Sequence, residues 1–133
     1  MDNEMLKFVK NDRFAKFIGI ELIKVEPGYA LVQMEITENH LNGLNSVQGG
    51  AIFTLADYAF AAASNSKGFA TVSVNTNISF LKAPKGKILT AEAKEISSSK
   101  SLCTYNIDVF DEDNTIIANL SSTGFIKTSY NKS

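Results

Sequence analysis

The sequence contains one cysteine, one histidine and no tryptophan, and its charges are almost balanced. Cys103 alone cannot form an intramolecular disulfide or a cysteine-based zinc site, and a transition-metal site would have only His40 and carboxylates as ligands. We therefore expect no metal. The 13 basic and 14 acidic residues give a formal net charge of −1. Nucleic-acid-binding proteins usually concentrate basic charge on one face, so we expect no nucleic-acid partner.

Long apolar runs are also absent. The run from Ala51 to Ala63 is too short to cross a lipid bilayer, and Asp57 interrupts it. The N-terminal stretch Met1–Met5 contains acidic residues and lacks the basic region of a signal peptide. We expect a cytoplasmic protein with no membrane partner.

The order of apolar patterns predicts the architecture. At 133 residues, the chain is expected to form one domain (1–133), since no linker or repeat divides it. Apolar residues at helical spacing predict a short amphipathic helix near the N-terminus, and alternation predicts strands. In order, the predicted elements are a helix over 3–17, strands over 20–25 and 29–37, a helix over 48–65, and strands over 72–80, 87–96, 102–110 and 115–127.

The helix predicted over 48–65 is the centre of this arrangement. Between Ala51 and Ala63, only Thr54 and Asp57 interrupt Ala, Ile, Leu, Phe and Tyr. A helix without a polar face is buried by its surroundings. An antiparallel sheet wrapped around this helix would bury the apolar faces of both. The sequence therefore predicts an α+β fold of the hotdog type, with a short N-terminal helix.

Two features of the central helix could serve chemistry, and each has a structural alternative. The glycines Gly49 and Gly50 could permit a tight junction or close packing, or their N–H groups could polarise a carbonyl at the positive end of the helix dipole. Asp57 could be bonded across a subunit contact, or it could act as a general base or nucleophile with a pKa set by its apolar surroundings.

The spacing of these features has a consequence for assembly. Asp57 follows the glycines by seven to eight residues, which is roughly 10–12 Å along one helix. A base and an oxyanion donor must both lie within a few ångströms of the reacting carbonyl. Two antiparallel copies could bring Asp57 of one chain opposite Gly49 of the other. An enzyme built this way would be a dimer at minimum.

The combined motifs resemble the PaaI-like (phenylacetate-degradation type) hotdog acyl-CoA thioesterases, over about residues 17–127. Members of that family usually have an asparagine, then His-Gly-Gly, then an aspartate at these spacings, which together are more specific than any one piece. The matching segments are Asn42-Gly43, Gln48-Gly49-Gly50, Leu55-Ala56-Asp57 and Val72-Ser73-Val74-Asn75.

The resemblance implies a role for each matching residue. The backbone N–H of Gly49 would polarise the thioester carbonyl, and Asp57 from the partner subunit would be the general base or nucleophile. Asn42 would orient the thioester or the attacking water, and Ser73 would help to hold that water. The structural alternatives are a turn residue for Asn42 and a solvated strand position for Ser73.

The resemblance also implies the surroundings of the coenzyme part of the substrate. CoA would run along the subunit surface, with Gly50 in the binding site and its phosphates near the basic side chains of Lys82, Lys85, Lys87 and Lys100. Each of these lysines could instead be solvated only. The implied reaction needs no metal or redox cofactor, and hotdog dimers commonly pair further, so a homotetramer is expected.

One position departs from the family pattern. Gln48 stands where the family usually has histidine; its amide can still donate an orienting hydrogen bond, but it cannot transfer a proton. His40, in the preceding loop, is interpreted as a loop residue. The favoured function is hydrolysis of an acyl-CoA with an aromatic or a short- to medium-chain acyl group. The alternative is a non-catalytic acyl-CoA-binding protein of the same fold.

Overall fold

The computed structural model describes residues 4–127 and contains the two predicted layers. The elements are α1 (Glu4–Lys10), α2 (Arg13–Ile18), β1 (Ile20–Glu26), β2 (Tyr29–Glu35), α3 (Gly49–Ser64), β3 (Thr71–Phe80), β4 (Ile88–Ser98), β5 (Leu102–Phe110) and β6 (Ile116–Ile126). The strands form one antiparallel sheet in the order β1-β2-β4-β5-β6-β3. The prediction of a sheet around one long helix is confirmed.

The core lies between α3 and one face of the sheet. Strands β2, β4 and β5 alternate buried and partly exposed residues, so each presents every second side chain to the helix. Three of the sheet positions in the core are the fully buried alanines Ala30, Ala91 and Ala93, which leave room for the larger side chains of α3. Phe60 of α3 packs edge-on against Tyr105 of β5, with ring centroids 5.5 Å apart.

The N-terminal segment differs from the prediction of a single helix. It forms two short helices, because the side chain of Asp12 caps α2 by accepting a hydrogen bond of 3.0 Å from the N–H of Ala15. Few apolar side chains of this segment are buried: Leu6 and Ala15 are buried, whereas the large aromatic side chains are exposed.

Strand β3 is an edge strand with exposed apolar side chains. It pairs with β6 on one side, and a bulge between Ser73 and Asn75 interrupts the pairing. Three of its apolar side chains are not buried within one chain, since Val72, Val74 and Phe80 are 46%, 59% and 54% exposed. An edge of this kind is a template for pairing with another chain.

No helix within residues 4–127 is long and apolar enough to cross a lipid bilayer.

Candidate active site

The N-terminus of α3 leaves one backbone donor open. Gln48 is the N-cap residue, and its Oε1 accepts a hydrogen bond from the N–H of Gly50. The N–H of Ala51 donates to the Gln48 carbonyl over 3.0 Å. Among the described residues, no acceptor pairs with the N–H of Gly49. At the positive end of the helix dipole, this N–H is suited to bind an anion or a polarised carbonyl oxygen.

Each of the two glycines also lies in close contact with a different neighbouring side chain. A Cβ at Gly49 would lie 3.2 Å from Cζ of Phe80, and a Cβ at Gly50 would lie 2.6 Å from Oε1 of Gln48. The packing alternative and the donor alternative therefore coexist at Gly49. The N–H of Gly50 is already bonded within the chain, so this residue can contribute to a site only through its shape.

Asp57 lies further along α3 and is partly buried. Burial raises the pKa of its carboxyl group, and the negative charge of Asp12 raises it further. No donor in the part of the chain that the structure describes is within hydrogen-bond distance of this carboxylate. A carboxylate with a raised pKa and free oxygens is suited to accept a proton.

Gly49 and Asp57 lie on the same helix but too far apart to act together in one chain. Eight residues at 1.5 Å each separate them by about 12 Å. The structure therefore places both predicted groups on α3 without bringing them together.

Asn42 has a local structural role. Its Oδ1 accepts hydrogen bonds from the N–H groups of Leu44 and Ser46, over 2.9 and 3.1 Å. The turn alternative is thus present in the structure. The side-chain amide of Asn42 has no acceptor among residues 4–127 and remains able to donate.

Ser73 lies at the bulge of β3, in a cluster of hydroxyl groups. Its Oγ lies 2.9 Å from Oγ1 of Thr76 and 3.3 Å from Oγ of Ser122. Seven residues of extended strand, roughly 23 Å, separate Ser73 from Phe80, whose ring contacts Gly49. Within one chain, Ser73 and Gly49 belong to different regions.

The four lysines fall into two groups. Lys82, Lys85 and Lys87 lie in the exposed loop that follows β3, which begins next to the Phe80–Gly49 contact. Lys100 lies in the turn between β4 and β5, beside the C-terminal end of α3.

Asp111 and Glu112 hold the backbone of the loop that contains Lys82, Lys85 and Lys87. Asp111 accepts the N–H of Lys85 over 3.0 Å, and Glu112 accepts the N–H of Lys87 over 3.1 Å. The backbone donor from Lys85 holds the pKa of Asp111 below its usual range. The loop is thus held from the β5–β6 turn through its backbone, which leaves the lysine side chains exposed.

A groove borders the N-terminus of α3 on the side of α2. Its volume is about 340 Å³, and Gln48, Gly50 and Thr54 line it together with Phe14 and Ile18 of α2. This size is within the usual range for small-molecule sites. The predictions did not include α2 in the site, because this segment was predicted only as part of one short amphipathic helix over 3–17.

His40 is a structural residue that holds the segment before α3. It is 4% exposed, its Nδ1 lies 2.9 Å from the N–H of Thr37, and its Nε2 lies 2.7 Å from the carbonyl of Ile18. These partners define the neutral tautomer that is protonated on Nε2. The His40 carbonyl also accepts the N–H of Gln48 over 2.8 Å. The residue therefore positions the N-cap of α3.

Replacing His40 with alanine is expected to lower the free energy of unfolding by about 1–3 kcal/mol, because two partly buried hydrogen bonds lose their partner. Thermal denaturation measures this, with the exposed neighbour Asn39→Ala as the matched control. Equal melting temperatures for the two variants would contradict the structural role.

Among the described residues, no group of three or more His, Cys, Asp or Glu side chains is arranged to hold a metal ion.

Comparison with known proteins defines the class. Residues 44–118 match the family model of the thioesterase superfamily. This stretch contains the α3 N-terminus, Asp57 and four of the six strands in whole or part. The chain belongs to the thioesterase superfamily and is a thioester hydrolase.

Particular relatives give a closer comparison. The chain is 39% identical to the acyl-coenzyme A thioesterase PaaI of Escherichia coli, over 82% of this chain and 79% of that protein. It is 33% identical to a 1,4-dihydroxy-2-naphthoyl-CoA hydrolase of Listeria monocytogenes, over 71% and 80%. The solved structure of E. coli PaaI superposes with a TM-score of 0.88 at 34% identity, covering 93% of this chain and 91% of that one. The resemblance to the PaaI-like family and the hotdog fold are confirmed.

Proposed function

We propose that this protein hydrolyses acyl-CoA thioesters to a carboxylic acid and free CoA, and that its substrates have aromatic or short- to medium-chain acyl groups. The observation that carries the proposal is the unpaired N–H of Gly49 at the N-terminus of α3. The similarity to a relative named as an acyl-coenzyme A thioesterase supports the choice of substrate class. The groove beside Gln48 and Gly50 supports a small acyl group.

The proposed chemistry uses Gly49 and Asp57. The Gly49 N–H donates a hydrogen bond to the thioester carbonyl oxygen and stabilises the oxyanion that forms when water attacks the carbonyl carbon. Asp57 takes the proton of that water as general base and returns it to the sulfur as the C–S bond breaks. In the alternative route, the Asp57 carboxylate attacks the carbonyl carbon, the C–S bond breaks and CoA leaves as its thiolate, which takes a proton from solvent. Water then hydrolyses the mixed anhydride, which releases the carboxylic acid and regenerates the Asp57 carboxylate. Neither route requires a metal or redox cofactor.

The proposed site is shared between subunits. The separation of about 12 Å between Gly49 and Asp57 along one helix means that the partner subunit's Asp57 would serve Gly49 of this chain. The exposed edge of β3, with its apolar side chains, supports a homodimer as the minimal unit, and we propose pairing of dimers into a tetramer. Asn42 and Ser73 would orient the water or thioester from this shared arrangement, and Gln48 would support the Gly49 turn as its N-cap.

The proposed CoA-binding surface begins beside Gly49. The loop with Lys82, Lys85 and Lys87 follows the Phe80–Gly49 contact and is held through its backbone. Its exposed lysine side chains can therefore bind the phosphates of a CoA that extends outward from the site. Lys100 lies at the opposite end of α3, and a role for it at CoA would require a site on another subunit.

The proposal is tested by incubating the purified protein with benzoyl-CoA, phenylacetyl-CoA, butyryl-CoA and octanoyl-CoA and measuring free thiol. We expect turnover of at least one substrate, with the Asp57→Asn variant purified in parallel to measure background. Absence of turnover on the whole panel would contradict the proposal. Saturable acyl-CoA binding without product, measured by calorimetry, would instead identify a binding protein.

A further inference from the structure

Three side-chain hydroxyls form a connected row at the edge of the sheet, and we name it the hydroxyl row. Oγ of Ser73 lies 2.9 Å from Oγ1 of Thr76, which lies 3.0 Å from Oγ of Ser122 on the neighbouring strand β6. Ser122 Oγ also donates to the carbonyl of Asn75 over 3.5 Å. Ser122 is 1% exposed, Thr76 is partly exposed and Ser73 is exposed. The row therefore leads from a buried hydroxyl to one at the surface.

The bulge in β3 brings the members of the row together. Side chains alternate along a regular strand, so residues three apart, such as Ser73 and Thr76, would point to opposite faces of the sheet. The bulge between Ser73 and Asn75 adds one residue and removes this opposition, so both hydroxyls reach Ser122. This face of the sheet is the one that packs on α3, since Leu120, two residues before Ser122, belongs to the core.

The carbonyl at the buried end sets the direction of the hydrogen bonds. A carbonyl oxygen can only accept, so the single proton of Ser122 points to Asn75, and the Ser122 oxygen is free to accept from Thr76. The proton of Thr76 is then used at Ser122, and Ser73 donates its own proton to Thr76. The exposed Ser73 oxygen is left with a free lone pair and can accept a hydrogen bond from a water molecule.

Helix α3 and strand β3 run side by side in opposite directions, and contacts at both ends fix their alignment. At one end the Phe80 ring lies against Gly49, where an added Cβ would be 3.2 Å from Cζ. At the other end Oγ1 of Thr71 donates to the carbonyl of Ser64 over 3.1 Å. Asp57 lies eight residues after Gly49, which is about 12 Å along the helix.

This alignment puts Asp57 level with the hydroxyl row of the same chain. About 12 Å along β3 from its C-terminal end is about four residues and reaches Thr76. The orientation of the helix agrees, because Phe60 follows Asp57 by three residues and lies on the same flank. A Cβ at Gly124, the residue that pairs with Ser73, would lie 2.9 Å from the Phe60 ring. The carboxylate and the exposed hydroxyl thus border the same part of the α3–β3 boundary.

From this arrangement we propose that Thr76 and Ser122 are positioning residues for thioester hydrolysis, which hold the Ser73 oxygen as an acceptor for the attacking water beside Asp57. The water donates one hydrogen to Asp57 and the other to Ser73 Oγ, which leaves an oxygen lone pair for the carbonyl carbon. Asp57 takes the first hydrogen as a proton, the second stays with the water oxygen in the acid that forms, and Ser73 keeps its own. The inference rests on the proposed function, and Thr76 and Ser122 lie outside the matched motifs.

The test compares Thr76→Val with Thr76→Ser, each alone and combined with Ser73→Ala, on the acyl-CoA of the panel that wild type hydrolyses fastest. Valine has the shape of threonine without its hydroxyl, so Thr76→Val should lower kcat about fivefold to tenfold with KM unchanged, as for the loss of one hydrogen bond. Serine keeps the hydroxyl and should restore kcat. In the Ser73→Ala background, which lacks the acceptor, Thr76→Val should cause no further loss.

Ser122→Ala tests the buried end of the row, and Ser121→Ala, exposed on the same strand, is its matched control. We expect a similar loss of kcat in Ser122→Ala only. Equal kcat in Thr76→Val and wild type would overturn the proposal, as would the same fold-loss with and without Ser73, which would indicate a structural effect. In both cases wild-type turnover that is lost in Asp57→Asn would still support the proposed function, whereas absence of turnover by wild type would overturn both.

Discussion

Replacing Asp57 with asparagine is expected to lower kcat for acyl-CoA hydrolysis by about 10²–10⁴-fold, the usual contribution of a general base. Asparagine keeps the size of the side chain but cannot accept a proton. The measurement is the initial rate of thiol release at saturating substrate. An Asp57→Asn variant as active as wild type would show that this carboxylate is neither the base nor the nucleophile.

The same substitution should not destabilise the fold. The folded chain raises the pKa of Asp57, so the stability that this group contributes is present below the unfolded value of about 4 and is lost as the pH rises through the folded pKa. Ionised Asp57 thus disfavours folding at neutral pH. Asp57→Asn should therefore melt at the same temperature as wild type or higher at pH 7, and loss of activity together with a lower melting temperature would contradict this explanation.

The pH profile provides the matched test of the raised pKa. If activity depends on ionised Asp57, it should fall on the acid side of the profile at a pH above the ordinary carboxyl pKa. The Asp12→Asn variant removes a negative charge and should shift this fall in activity to lower pH. Asparagine at position 12 can still cap α2 through its side-chain oxygen. If the acid side of the pH profile is the same in Asp12→Asn and wild type, the group that titrates there is not Asp57.

The sequence was sufficient to predict the fold because its periodic patterns are local. Alternation identified the strands, with Leu102–Phe110 predicted at its observed limits, and the uninterrupted apolar run identified α3 as a buried helix. The N-terminal helix was wrong in detail, because Asp12 can be either an interior residue or a cap. Only its side-chain bond to Ala15 distinguishes the two, and that bond depends on the backbone geometry.

The candidate site was predictable as a set of residues but not as an arrangement. The spacing of Gly49 and Asp57 along one helix predicts a site shared with a second subunit, and the structure retains that separation within one chain. The side-chain oxygen of Gln48 accepts the N–H of Gly50 and not that of Gly49. The Gly49 N–H is therefore left without an acceptor among the described residues. Likewise, the position of the His40 ring depends on its hydrogen bond to the carbonyl of Ile18, which is distant in sequence. Contacts between distant segments follow from the fold, and no local pattern encodes them.

Replacing Gly49 with proline is expected to lower kcat by about 10²–10³-fold, the usual loss when one oxyanion donor is removed. Proline has no backbone N–H, so the substitution deletes the proposed donor. Gly49 is the first residue of α3, a position where proline is well tolerated, since an N–H there has no acceptor within the helix. Gln48 already has φ −66° and ψ 136°, the extended conformation that a residue before proline requires. The helix should therefore form normally, as circular dichroism and thermal melting can verify.

The matched control is Gly49→Ala, which adds a Cβ but keeps the N–H. Both variants place an atom 3.2 Å from the Phe80 ring, and this half-exposed side chain can move aside in both. The difference in kcat between the proline and alanine variants thus isolates the donor from the packing that Gly49 also serves. If the two variants lose the same activity, the close approach of Phe80 would be the functional requirement, and the oxyanion would need another donor. If alanine keeps most of the activity and proline does not, the lone open N–H of α3 is the group that stabilises the transition state.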